Sequence, residues 1–155
     1  MNAHAWQARI IGEAIAHGVA GDQERGLRML QPLVDAGPRS TYALLASLAE
    51  TAAHTALRNQ RPGEMFGMPV ENTTTGQAAP MDVLPPPVRF AAQFTTAWAN
   101  RDRDTALALF QAFAFASDDA GTPDLGDAIG LLYSMAVTTS TEVVRQARQA
   151  REGTS

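Results

Sequence analysis

Cysteine is absent from this 155-residue chain, which excludes a disulfide framework, a thiolate metal site and a cysteine nucleophile. Lysine is also absent, so all 12 basic residues are arginines, and 16 acidic residues leave a net charge of −4. This balance argues against nucleic acid as the main partner. No apolar run approaches the roughly 20 residues of a membrane-spanning helix, and the first residues lack the basic and apolar regions of a signal peptide. We therefore expect a cytoplasmic protein that binds neither nucleic acid nor a membrane.

One short stretch occurs twice in the sequence. Residues 44–51 read Leu-Leu-Ala-Ser-Leu-Ala-Glu-Thr and residues 131–138 read Leu-Leu-Tyr-Ser-Met-Ala-Val-Thr, with identical residues at five positions. Upstream of each copy, apolar residues recur at helical spacing, and the two halves align there at an offset of 80 residues. The sequence therefore predicts an all-α fold of six helices, arranged as a tandem duplication of a three-helix unit. We expect the leucine pairs at 44–45 and 131–132 to be buried.

The length of the chain predicts a single domain, residues 1–155, that contains both copies. Between the copies lies a connection with six prolines and three glycines, which also carries apolar residues such as Phe66. So long a connection inside a compact domain is usually functional or disordered, and its apolar content favours an extended strap that packs on the helices over a free linker. The predicted parts are pseudo-repeat 1 at 5–60, the strap at 61–87, pseudo-repeat 2 at 88–148 and a tail at 149–155.

Aspartates stand where several helices are predicted to begin. Asp22 and Asp102 occupy equivalent positions in the two copies, each just before an Ala/Leu-rich helical segment. An aspartate at this position accepts hydrogen bonds from the free backbone N–H groups of the first turn. We therefore expect both to be N-caps, and we expect Asp124 or Asp127 to cap the sixth helix.

Three local patterns set further expectations for the helices. Pro32 lies inside the second helix and predicts a kink or an early end, because proline removes a hydrogen bond. Ser40 or Thr41 is predicted to cap the third helix, which should reach about Asn59. Residues 137–144 are rich in β-branched side chains and suggest a strand, but their alanine-rich counterpart in the first copy favours a helix. We therefore predict a helix there.

The sharpest chemical pattern is Glu-x-x-x-His, which occurs as Glu13/His17 and Glu50/His54. Residues four apart share one face of a helix, so two such helices could offer a metal two carboxylates and two imidazoles. The alternative is a pair of solvated surface contacts, and the helical positions of Glu50 and His54, away from the apolar arc, favour it. We therefore assign no metal, no other cofactor and no catalytic residue.

Bulky side chains are concentrated in the second copy, which suggests two possible sites. The first is an apolar pocket lined by Phe90, Phe94, Trp98, Phe110 and Tyr133. The second is an apolar stripe on the sixth helix, where an uncovered face needs a cover, either the strap or a second chain. The stripe consists of Tyr133, Val137, Thr141 and Val144.

The sequence favours a protein without enzymatic activity that acts through interaction. We expect a helical scaffold that binds a protein partner or forms a homodimer, because two-fold dimers are the commonest oligomers. One alternative is a helical bundle that binds a small apolar ligand, and a less favoured one is a metal-dependent enzyme. A pocket of several hundred Å³ would favour the ligand, whereas a filled core with an exposed apolar patch would favour a partner.

Overall fold

The computed structural model describes residues 2–61, 63–65 and 83–154, and within these ranges it contains no β-strand. The predicted all-α fold is therefore confirmed for the described part of the chain. The helices are α1 (Ala3–Val19), α2 (Gln23–Met29), α3 (Gln31–Asp35), α4 (Pro38–Ala52), α5 (His54–Arg58), α6 (Pro86–Ala99), α7 (Arg103–Ala120) and α8 (Asp124–Glu152).

The chain divides into two compact units whose limits differ from those of the pseudo-repeats. The first unit combines Met1–Thr55 with Leu132–Ser155, and the second is Ala56–Leu131. Helix α8 therefore begins in the second unit, and its residues from Leu132 onward belong to the first. The reason lies in side-chain contacts within the first unit, which tie the later part of α8 to α1, α2 and α4.

Proline and glycine set the helix limits in the first unit. The predicted break at Pro32 is confirmed, because α2 ends at Met29 and α3 carries this proline in its first turn. The predicted caps Ser40 and Thr41 are wrong, since α4 already begins at Pro38 and both residues lie inside it. Gly37, with φ of 118°, occupies the N-cap position instead. Proline suits the first helical position because its missing N–H would be unpaired there anyway.

The predicted third helix is interrupted at Ala53. Helix α4 ends at Ala52, and the short helix α5 resumes at His54 and ends at Arg58. The backbone N–H of Ala53 donates to the carbonyl of Ala49, which completes the last turn of α4. The sequence predicts one continuous helix as far as Asn59, and the break at Ala53 makes that prediction wrong.

Helix α8 is continuous through residues 137–144, so the predicted helix in this β-branched segment is confirmed. Its start differs from the prediction, because neither Asp124 nor Asp127 acts as a side-chain cap among the described hydrogen bonds. The Thr122 hydroxyl accepts from the backbone N–H of Asp124 at 3.4 Å, and the buried Ser117 hydroxyl accepts from that of Leu125 at 3.2 Å. The hydroxyls of Thr122 and Ser117 therefore cap α8, which is the role predicted for Asp124 or Asp127.

The leucine pairs are only partly buried as expected. Leu44, Leu45 and Leu132 are fully buried, but Leu131 is 37% exposed, so the prediction fails at that residue. The buried residues of α8 recur as adjacent pairs every four residues, for example Leu132 with Tyr133 and then Ala136 with Val137. This spacing defines a single helix face, and Leu131 lies outside it.

Two hairpins, α1–α2 and α6–α7, use the same turn. In the first, the backbone N–H of Gly21 donates to Gly18 and that of Asp22 donates to His17. In the second, residues 101 and 102 donate in the same way to residues 98 and 97. This pattern places the residue after the C-cap in the left-handed region, and φ is 100° at Gly21 and 62° at Arg101.

The predicted capping aspartates are confirmed at the start of the second helix of each hairpin. Asp22 accepts a hydrogen bond from the backbone N–H of Arg25, and Asp102 accepts one from that of Thr105, each at 3.1 Å. Asp102 also accepts the Thr105 hydroxyl at 2.6 Å. Each aspartate thereby satisfies an N–H group that has no partner within its helix.

Tyr133 is the key residue of the core of the first unit. Its hydroxyl donates to the carbonyl of Ala14 at 2.6 Å, and the side chain is fully buried. Burial, together with the negative charge of Asp22, raises the pKa of the phenol. Gly18 and Gly26 form the slot that receives the ring, since a β-carbon at Gly18 would lie 2.7 Å from the phenol oxygen and one at Gly26 would overlap it.

Substituting the slot glycines should therefore destabilise the fold, and the two sites should respond differently to rescue. Gly26→Ala would also overlap the backbone carbonyl of Ala14, so we expect a loss of about 2 kcal/mol or more in the free energy of unfolding, which Tyr133→Phe does not restore. Gly18→Ala meets only side chains, chiefly Val137 at 2.5 Å, so Val137→Ala should partly restore it. Urea unfolding measures all of these variants.

The control is Gly12→Ala, since a β-carbon at Gly12 meets nothing within 4 Å. Alanine stabilises a helix interior by roughly 0.5–1 kcal/mol relative to glycine, so this variant should be more stable than the wild type. A Gly26→Ala protein as stable as Gly12→Ala would contradict the slot.

Candidate functional site

The residues considered for a metal site do not converge. Glu13 is exposed and pairs with Arg9 at 3.8 Å on the same helix. Glu50 belongs to α4 and His54 begins α5, so this second pair does not share one continuous helix as predicted. Among the described residues, no three histidine or acidic side chains are grouped closely enough to hold a metal ion.

The aromatic side chains proposed to line an apolar pocket largely contact one another. Phe90 and Phe94 are buried with ring centroids 5.3 Å apart, and Phe94 stacks on Trp98 at 6.5 Å. Phe90 also stacks on Phe113 of α7 at 4.3 Å. Phe110 and Tyr133 are buried too, in the second and the first unit respectively.

The proposed interface stripe on α8 is divided between core and surface. Tyr133 and Val137 are buried within the first unit, where both lie against Gly18. Thr141 is exposed and donates to the carbonyl of Val137 in its own helix, and Val144 is partly exposed. The predicted cover of this stripe is the strap or a second chain, whereas in the structure α1 covers its beginning through Gly18.

An open groove runs along the seam between α6 and α7 in the second unit. It consists of two adjoining depressions of about 430 Å³ and about 230 Å³, and Gln93 and Leu109 belong to both. The larger depression lies at the end where α6 leads into α7, beside Asn100 and Asp102. The smaller one lies at the opposite end, beside Pro86.

Helical periodicity explains how the two helices form this groove. The lining residues of α6 recur every three or four positions, as do those of α7, so that each helix presents one continuous stripe. Because α6 has 14 residues and rises about 1.5 Å per residue, the groove is about 20 Å long. The residues from α6 and its C-cap are Pro86, Arg89, Phe90, Gln93, Thr96, Ala97 and Asn100. The residues from α7 and its cap are Asp102, Thr105, Leu109, Ala112 and Phe113.

The groove carries opposite charges at its two ends. Arg89 lies at the end that contains Pro86, and none of the ion pairs in the described part of the chain involves it. Asp102 lies at the other end, where hydrogen bonds from the Thr105 side chain and backbone hold the pKa of its carboxyl below the ordinary value of 3.8. Between them the lining is uncharged, with Leu109 and Ala97 supplying apolar surface.

An exposed aromatic side chain stands beside the groove. Phe115 lies on α7 and is 72% exposed. It follows the groove residue Ala112 by three positions, which makes the two neighbours on the helix surface. A phenylalanine this exposed leaves most of a large apolar side chain in water, at a cost that contact with a partner would remove.

Sequence reasoning missed this groove, although one signal was present. The pattern at 105, 109, 112 and 113 continues the helical spacing of α7 and could be read as part of its core face. Phe115 lies off that face, and an aromatic residue outside the core stripe is the signal that marks an exposed site.

The chain matches no protein-family model, and the comparisons with curated proteins and with solved structures gave no match. Of the helices that the structure describes, none is both long enough and apolar enough to cross a membrane.

The Thr95 hydroxyl on α6 generates a stability prediction. It is fully buried and has no hydrogen-bond partner among the described contacts. An unpaired buried hydroxyl costs about 1–3 kcal/mol, so Thr95→Val should raise the free energy of unfolding by about 1 kcal/mol. The matched control is Thr41→Val, because Thr41 is also buried but donates to the carbonyl of Gly37 at 2.9 Å. Chemical denaturation should show opposite signs, and a destabilised Thr95→Val protein would contradict the assignment.

Asp102 should contribute to stability in a pH-dependent way. Because its folded-state pKa lies below 3.8, its contribution is fully present above that pH and is lost as pH falls through the folded value. Asp102→Asn keeps a capping oxygen but does not titrate, so its melting temperature should fall less than that of the wild type on acidification. Asp104→Asn, in the same first helical turn, is the control. Parallel acid profiles for wild type and Asp102→Asn would contradict the prediction.

Proposed function

We propose that this chain is a non-catalytic helical scaffold for protein–protein interaction or self-association, and that the α6–α7 groove is its docking face. One observation carries the proposal: an open groove with an apolar floor lies beside Phe115, which is largely exposed. Grooves between two helices commonly receive the apolar face of another helix. A length of about 20 Å suits a partner helix of three to four turns.

We propose further that the two hairpins arose by tandem duplication of a three-helix unit. Their matching turns support this, since Gly21 and Arg101 share a positive φ and the same hydrogen-bond pattern. Burial agrees as well. Leu30 and its counterpart Phe110 are both buried, as are the pair Gly26/Ala106 and the pair Leu45/Leu132.

The strap predicted at 61–87 remains part of the proposal. Residues 66–82 lie outside the described residues, so the expected packing of Phe66 does too. The described residues on either side lie at opposite ends of the groove, with Met65 beside the larger depression and Pro86 beside the smaller. The strap is therefore a competitor for the docking face that an experiment must distinguish from a partner.

A small apolar ligand is the second candidate function. The observation in its favour is the volume of the larger depression, about 430 Å³, which falls within the usual range for ligand pockets. The depression is open to solvent, however, and its lining includes polar side chains such as Gln93, Thr96 and Thr105. These features suit a protein surface better than a buried apolar molecule.

Site-specific photo-crosslinking in the native cells tests the docking face. A benzophenone side chain at Ala112, which is exposed and lines the smaller depression, should form a protein adduct of defined mass. The matched control is Gln111, the exposed preceding residue, which does not line the groove. We expect the adduct only from position 112, and we expect Leu109→Arg to abolish it by placing a charge on the groove floor.

The outcomes of this experiment separate the candidates. An adduct with another protein or with a second copy of the chain supports the docking function. No adduct, equal labelling from both positions, or an internal link to residues 66–82 alone would overturn it.

A further inference from the structure

We infer that the occupant of the α6–α7 groove is the same groove of a second copy of this chain, docked about a two-fold axis. This inference rests on the proposed docking function and names the partner. Three observations carry it: the charges at the two ends of the groove, the exposed Phe115 beside its smaller depression, and the larger depression at its opposite end.

The charges make the groove complementary to itself. Arg89 and Asp102 lie at opposite ends of the seam. A two-fold axis across the middle of the groove reverses its direction, so that Arg89 of each copy lies beside Asp102 of the other. Such isologous contacts occur twice in a dimer by symmetry. Two copies docked in the same direction would instead place like charges together.

The shape of the groove agrees with this arrangement. Phe115 follows Ala112 and Phe113, which line the smaller depression, so it stands at that end of the groove. The two-fold axis places it over the larger depression of the other copy, where Met65, Ala97 and Leu109 offer apolar surface. A volume of about 430 Å³ accommodates a phenyl ring, and buried aromatic side chains of this kind dominate interface energies.

The axis passes close to the residues shared by both depressions. These are Gln93 on α6 and Leu109 on α7. A residue near a two-fold axis meets its own counterpart, so the two Gln93 amides lie close to each other. The amide can both donate and accept a hydrogen bond, which makes glutamine compatible with such a contact, whereas a charged residue would repel its counterpart.

This dimer differs from the one expected from the sequence alone. That interface was assigned to Tyr133, Val137, Thr141 and Val144, and the structure buries the first two within the first unit. The homodimer remains part of the inference, while its contact surface moves to the face where the apolar side chain is exposed.

Sedimentation equilibrium of the full chain at micromolar concentrations provides the first test. We expect a species of twice the 16.5 kDa chain mass. Phe115→Ala and Arg89→Glu should each weaken dimerisation at least about tenfold, the loss typical of a hot-spot residue. Leu107→Ala is the matched control, because Leu107 is also partly exposed on α7 but does not line the groove. Circular dichroism establishes that each variant keeps its helices.

A single introduced cysteine tests the geometry, because the natural chain contains none. Gln93→Cys should form a disulfide-linked dimer under mild oxidation at least about tenfold faster than Gln111→Cys, whose side chain is exposed away from the groove. A monomer throughout the sedimentation series would overturn the inference. So would a dimer unaffected by Phe115→Ala and Arg89→Glu, or equal rates of disulfide formation.

The photo-crosslinking experiment at Ala112 shows whether the homodimer alone is wrong or the docking function fails as well. If the photo-crosslinker at Ala112 traps only a different protein, the groove is a docking face and the homodimer is wrong. If it traps nothing, both proposals fail together.

Discussion

The fit of Tyr133 between two glycines is the constraint on which the first unit depends. The phenol needs a hydrogen-bond partner because an unpaired buried hydroxyl is costly, and the Ala14 carbonyl supplies it only because Gly18 and Gly26 leave room for the ring. The contact joins residues that are far apart in sequence. It also explains why the later part of α8 belongs to the same unit as α1 and α2 rather than to the unit in which α8 begins.

The second unit uses its aromatic residues differently. Phe90 contacts Phe94 within α6 and Phe113 on α7 ring to ring, so aromatic contacts join the two helices. Phe90 and Phe113 also line the smaller depression of the groove, and Phe115 stands beside it. An exposed aromatic side chain beside an open groove is the feature on which the proposed docking function rests. The buried Thr95 hydroxyl remains an unresolved cost within this unit.

Local features were predictable because their causes are local. An aspartate before a helical pattern caps the helix through its own next turn, as Asp22 and Asp102 do. Pro32 interrupts its helix because the missing N–H belongs to that same residue. The errors occurred where a distant or competing group intervened. Ser117 and Thr122 satisfied the N–H groups assigned to the aspartates of α8, and the helix expected to continue to Asn59 stopped at Ala52.

The sequence by itself determined that the described part of the chain is helical, where α2 and α7 begin, and which residues recur at helical spacing. Periodicity contains that information because a helix face repeats every three to four residues. Only the tertiary structure decided what covers each stripe. Val137 and Val144 look equivalent in the sequence, yet the first is buried against Gly18 while the second remains partly exposed. The groove between α6 and α7 likewise exists only once the two helices pack, since each contributes part of its lining.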